Sequence, residues 1–224
     1  MKRVLFVSVH PDDETLGCGG TILKCKAESA EIFWLNITGG SLEHPYGFSQ
    51  EMLDQRDEIV KKVIEAYGFS DTRNLNYPTQ MLESVEPRLL IGSIKKVYDE
   101  ISPDTIFVPN RSDIHSDHRV AFEALFSAAK NFRSFYIKEI LMYETLSETE
   151  FAPPLPEKAF IPNTFIDISD YMEEKLRIMQ YYHTEVMPDP LPRSSHAIKA
   201  LAGYRGSRIG VKYAEAFQMI YRNI

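Results

Sequence analysis

The stretch Val4-Leu-Phe-Val-Ser-Val-His-Pro-Asp-Asp-Glu14 joins two kinds of chemistry in one short run. Val4 to Val9 is brief, apolar and β-branched, the pattern of a buried strand. His10, Asp12, Asp13 and Glu14 follow at once. A histidine and paired carboxylates are costly at the end of a buried strand unless they have a task. In open parallel α/β sheets, ligands bind outside the carboxyl ends of the strands. The opening therefore predicts a strand, a reactive cluster and a helix, in that order.

A second cluster answers the first. Thr105-Ile-Phe-Val-Pro109 reads as another buried strand, and Asp113-Ile-His-Ser-Asp-His118 follows it. Two such strand ends can converge in space while far apart in the chain. Imidazole nitrogen and carboxylate oxygen suit borderline metals such as zinc. His10 and Asp13 are spaced i,i+3, so one tight helical turn presents both on a shared face. One imidazole from His115 or His118 completes three protein ligands and leaves a fourth position for water. Asp12, between two ligands, points elsewhere and can reach that water. The local alternative makes Asp12 or Asp13 a helix N-cap and leaves His115 and His118 solvated. Matching clusters at two strand ends favour a joint site.

Beyond these motifs, strand and helix patterns alternate. Ala30–Ile37 predicts a second strand, and Gln50–Tyr67 a helix that Gly68 stops. Arg73–Tyr77 predicts a third strand. Pro87–Ile101 predicts a helix closed by Ser102-Pro103. His118–Ala129 predicts a further helix, and Glu139–Tyr143 a fifth strand. The rhythm predicts an α/β, Rossmann-like, doubly wound and mainly parallel sheet of about five strands, with helices on both faces. After the proline-rich Phe151–Pro156, a short strand at Phe165–Ile168 and a helix over Asp170–Tyr182 predict a C-terminal extension of one domain spanning residues 1–224.

Composition narrows the function. The net charge of −7, without a basic stripe, argues against nucleic acid. The first apolar run is broken at His10 and Asp12, so it is no signal peptide, and no stretch is long enough to span a bilayer. Cys18 and Cys25 sit on one expected helix, too far apart for a disulfide. A cytoplasmic, reducing setting is expected.

His10-Pro-Asp-Asp-Glu14 together with His115-Ser-Asp-His118 resembles the PIG-L/LmbE family of zinc-dependent N-acetylglucosaminyl deacetylases. The resemblance takes in Gln55-Arg-Asp-Glu58 and Tyr213-Ala-Glu-Ala-Phe217 and spans most of the chain. It implies that His10, Asp13 and His118 hold Zn2+, and the two-His, one-Asp donor set suits Fe2+ as well. It implies that Asp12 is the general base, that His115 steadies the oxyanion, that Asp117 orients His115, and that Arg56 binds substrate. It implies a small-molecule amino-sugar substrate and allows a homo-oligomer. Two positions depart from the family pattern: Ser116 stands where proline is frequent, and Thr79 where an aspartate often follows proline. The expected activity is metal-dependent hydrolysis of an N-acetyl amide. The alternatives are a metal-free Rossmann-like nucleotide- or sugar-binding protein and a metal-dependent phosphoesterase. The latter calls for carboxylates at further strand ends, which the sequence does not make evident.

Three other features have two readings each. Gly17 to Gly20 suits close helix-to-sheet packing better than a phosphate turn, because neighbouring carboxylates repel phosphate. His44 reads as a solvated loop histidine or as part of the site rim. His183 and His196 read as substrate contacts or as plain surface, and Arg193, Arg205 and Arg208 as contacts to an anionic substrate group or to a neighbouring subunit.

Overall fold

The computed structural model describes residues 1–45 and 47–224. Seven strands form one sheet in the order β3-β2-β1-β4-β5-β7-β6. Strands β1 (Arg3–Ser8), β2 (Glu31–Gly39), β3 (Asp71–Pro78), β4 (Thr105–Pro109) and β5 (Glu139–Tyr143) run parallel. The strand order reverses between β1 and β4, which places a crevice outside their carboxyl ends.

The alternation along β1 shows why both faces are covered. Val4 and Phe6 pack with Ile22, Val63, Phe107 and Phe217 on one side. Leu5 and Val7 pack with Leu35, Ile94, Ile106 and Leu125 on the other. Successive strand side chains point to opposite faces, so a continuous apolar run demands helices on both. Helices α1 (Asp13–Ala27), α2 (Gln50–Tyr67), α3 (Pro87–Ile101) and α4 (Ser116–Ala128) supply them. Ser49 caps α2 by accepting from the Met52 N–H, and Gly68 closes it in a left-handed conformation at φ 64°.

The glycines of α1 serve packing. A Cβ on Gly20 would lie 2.6 Å from Ile168 Cβ, and one on Gly17 would overlap the Tyr143 ring. Both cysteines of α1 are free and buried. No described helix is long and apolar enough to cross a membrane.

The expectation of about five strands is corrected to seven. β6 (Thr164–Asp167) matches the short expected strand, whereas β7 (Ala214–Arg222) is additional. It inserts antiparallel between β5 and β6, so the C-terminal segment completes the sheet. Two alanines, Glu215 and Gln218 break its apolar pattern, which hides it from a periodicity reading. Helix α5 (Met172–Met179) is shorter than expected, and α6 (Ser195–Ser207) is a further addition. Glu215 has a structural reason to be inside. Its oxygens accept from the Gly20 and Thr21 N–H groups of α1 at 2.9 and 2.8 Å, and from Lys175 Nζ of α5 at 2.6 Å. Lys175 also donates to the Leu16 carbonyl.

Candidate metal centre and active site

Both expected clusters meet at the β1/β4 crevice. Asp13 opens α1, and its Oδ2 accepts from the Val9 and His10 N–H groups at 2.9 and 2.8 Å. His118 lies in the first turn of α4 and is fully buried. His10, Asp13 and His118 each offer one donor atom, and these atoms lie within 4.8 Å of one another. His10, His115 and Asp117 form an overlapping set by the same measure.

The first set fits a metal on chemical grounds. His118 Nδ1 is hydrogen-bonded to Asp113 Oδ2 at 2.9 Å. Its Nε2 is buried, makes no hydrogen bond and stands 3.4 Å from Asp13 Oδ2. A buried nitrogen without a hydrogen bond, facing a carboxylate, is what a bound cation would satisfy. Electrostatics agree. Burial works against protonation of His118, yet Asp13 and Asp113 push its pKa up to about 9. The cluster thus demands a positive charge, and a divalent ion on two imidazoles and one carboxylate would supply it.

His115 is built differently. It caps α4, with its Nδ1 accepting from the Asp117 N–H at 3.1 Å. Burial, with help from His10 and His118, lowers its pKa to about 4. The ring is therefore neutral at pH 7 and carries its proton on Nε2, as a donor. Its centroid lies 4.5 Å from that of His10.

Asp117 differs from what the resemblance implies. Its carboxylate makes no hydrogen bond to His115, although donor atoms of the two side chains lie within 4.8 Å of one another. It meets His10 Nε2 at 3.1 Å and accepts from the Gln80 and Leu82 N–H groups at 2.6 and 2.9 Å. Its hydrogen bond to His115 is made by its backbone N–H. The physical reason is local: Asp117 is the second residue of α4, so its amide is one that a capping side chain satisfies, while its carboxylate turns toward the loop after β3.

Asp12 makes no side-chain capping bond. Its backbone sits at φ 132°, a strained value for a residue with a Cβ, worth about 1–3 kcal/mol. Its N–H donates to Glu14 Oε2, and its Oδ2 accepts from Arg193 Nη1 at 3.1 Å. Burial first, then Asp13 and Glu185, raise its pKa well above the usual range, and Arg193 opposes them. Glu14 is itself buried, accepts from Thr15 and Tyr182 hydroxyls, and is pushed by burial to about 7.

His10, Asp12, Asp13, His115 and His118 line a cavity of about 500 Å³ together with Arg56, Gln80, Glu148, Tyr182, Glu185 and Arg193. Arg56 faces it from α2, and burial lowers its pKa without costing it its charge. Thr79 lines the same wall.

Several cavity residues have no signal in the sequence. Tyr182, Glu185 and Glu148 carry no motif. Glu148 stands in the segment after β5 and is the kind of strand-end carboxylate that the sequence does not make evident. Arg193 lines the cavity. His44 is buried, with its Nε2 2.7 Å from the Thr79 carbonyl and its ring edge-on to Phe48, which corrects the solvated reading. His183 and His196 are exposed.

Fold and site together define an α/β protein with a buried His/Asp donor cluster at its sheet crossover. Residues 5–129 match the family described as PIG-L: GlcNAc-PI de-N-acetylase, and the chain belongs to that family. It is 28% identical over 231 residues to a diacetylchitobiose deacetylase of Thermococcus kodakarensis, covering 98% of this chain and 84% of the relative. The conserved protein TT1542 of Thermus thermophilus superposes with a TM-score of 0.79 at 24% identity, covering 100% of this chain and 97% of the other. The 4-carboxy-2-hydroxymuconate hydratase GalB of Pseudomonas putida KT2440 superposes at 0.74 with 18% identity, covering 100% and 98%. A hydratase on the same fold shows that the fold alone does not decide the reaction.

Proposed function

We propose that this protein is a metal-dependent amide hydrolase that removes the N-acetyl group from an N-acetylglucosamine-type sugar. The carrying observation is His118 Nε2, buried without a hydrogen bond beside Asp13, with Asp12 and His115 on the same cavity wall. His10, Asp13 and His118 would hold the ion, which we assign as zinc; the same donors suit iron(II). When bound, the ion supplies Lewis acidity, lowering the pKa of water toward neutrality and polarising the acetyl carbonyl.

The remaining chemistry belongs to side chains. Asp12, with its pKa raised by burial, takes the proton of the attacking water as the amide carbon becomes tetrahedral. Neutral His115 donates from Nε2 to the developing oxyanion. Asp12 then returns its proton to the departing nitrogen, leaving acetate and a free amine. Arg56 presents a fork to oxygens on the sugar side. The free buried cysteines suit a reducing compartment, and we place the enzyme in the cytoplasm.

Family membership and the named relatives support an amino-sugar substrate. The group attached to the sugar is the open variable. The test is acetate release from a panel of N-acetylglucosaminides with zinc supplied: diacetylchitobiose, and glycosides bearing malate, inositol or a nucleotide diphosphate. Acetate release matched by free amine is expected. A metal-loaded enzyme inert toward the whole panel would overturn the assignment.

A further inference from the structure

His10 presents its two nitrogens to two different carboxylates. Nε2 is 3.1 Å from Asp117 Oδ2, whereas Nδ1 faces Asp13 Oδ2 at 4.0 Å. His118 shows the reverse arrangement. Its Nδ1 meets Asp113 Oδ2 at 2.9 Å, and its Nε2 faces Asp13. An ionised carboxylate accepts only, so the nitrogen it touches carries the proton and the opposite nitrogen keeps the lone pair. In the neutral, metal-binding form of each ring, the lone pair would thereby be turned toward Asp13.

The two carboxylates are anchored for this task. Asp117 and Asp113 are both fully buried. Asp117 is gripped by the Gln80 and Leu82 amides. Asp113 accepts from Asn110 Nδ2 at 2.9 Å and Thr149 Oγ1 at 2.7 Å. Three donors on Asp117 also leave it poorly placed to be a ligand itself, and His115 Nδ1 is occupied by a backbone N–H. That weighs against the overlapping set of His10, His115 and Asp117.

We propose that Asp117 and Asp113 are paired positioning residues of the metal centre. Asp117 fixes His10 to bind through Nδ1, and Asp113 fixes His118 to bind through Nε2, so Asp117 acts on the metal through His10 rather than on the oxyanion through His115. The proposal rests on the reading that His10, Asp13 and His118 hold a divalent ion. Carboxylates behind metal-bound imidazoles set the tautomer and raise ligand basicity, and losing one costs about 10–100-fold in metal affinity.

The experiment reads metal binding, not turnover. Zinc affinity is measured by chelator competition for wild type, Asp117→Asn, Asp113→Asn and His115→Ala. We expect about 10–100-fold weaker binding for the two Asn variants and wild-type binding for His115→Ala. Asp117→Asn equal to wild type would overturn the proposal while leaving the metal reading intact. A wild-type protein that binds no zinc would overturn both. Each carboxylate also anchors a loop, so a second measurement uses the unaltered chain and is independent of how the variants fold. Long-range 1H–15N NMR of the zinc-loaded, 15N-histidine protein should show the proton on Nε2 of His10 and on Nδ1 of His118. The same tautomer in both rings would overturn the proposal.

Discussion

The guanidinium of Arg193 lies 3.1 Å from Asp12 Oδ2, although 181 positions separate them in the chain. The same Nη1 reaches Glu185 at 2.7 Å. The segment between α5 and α6 thus holds the carboxylate that we assign as the base. Arg193→Ala should lower kcat by about 10–100-fold, the weight of a charge-assisted hydrogen bond of about 1.5–3 kcal/mol. Arg193→Lys should recover part of the loss. Steady-state kinetics check this, and an unchanged kcat in the alanine variant would remove Arg193 from the mechanism.

Asp12→Asn keeps shape and hydrogen-bonding capacity but cannot accept a proton. The variant should fold, keep its metal and bind substrate, with kcat reduced at least about a hundredfold. Metal content, thermal melting and single-turnover rates separate these effects. Near-normal turnover in the loaded variant would assign the proton transfer elsewhere.

The two neighbouring histidines of α4 should part company. His118→Ala should lose the metal, whereas His115→Ala should retain it and lose about 10²–10³ in rate. Removal of metal from the wild type by a chelator should abolish turnover, and zinc should restore it. Equal metal loss in both variants would contradict the separation of roles.

Arg56→Lys keeps the charge and loses the planar fork. With Arg56 on the cavity wall, kcat/KM for the best panel substrate should fall while metal content stays constant. Unchanged kcat/KM would place Arg56 outside the site.

Lys175 and Glu215 form a pair that is almost wholly buried, and the two ends are not equivalent. Glu215 keeps two amide donors if Lys175 is lost, whereas Lys175 keeps one carbonyl if Glu215 is lost. Both Lys175→Met and Glu215→Leu should destabilise by about 3–5 kcal/mol, with Glu215→Leu the worse. Urea unfolding of the two variants tests the order, and a milder Glu215→Leu would refute the asymmetry.

What could be read from the sequence was local. β1 and β4 are short apolar runs followed within a few residues by their reactive clusters, so strand, strand end and ligand types were visible together. The convergence of His10 with His118 followed from the rule that parallel strands share a ligand-binding edge. Arg193, Glu185 and Glu148 were hidden because nothing nearby in sequence marks them, and only chain reversal brings them to the cavity that Asp12 lines. The direction of the Asp117 carboxylate was hidden for another reason. A helix-cap geometry, not a motif, decides which of its groups meets His115.

The insertion of β7 between β5 and β6 bears on how the chain matures. Until residues 214–222 have arrived, β5 has no neighbour on one side, β6 has no partner, and the ammonium of Lys175 has no anion. The helix that carries Asp13 also lacks the Glu215 oxygens that bind its middle amides. A nascent chain on the ribosome therefore exposes an unfinished sheet edge, and the long-range closure comes late. Ligand-bearing segments made early are fastened by a strand made much later, so stable metal loading should await synthesis and docking of residues 214–222.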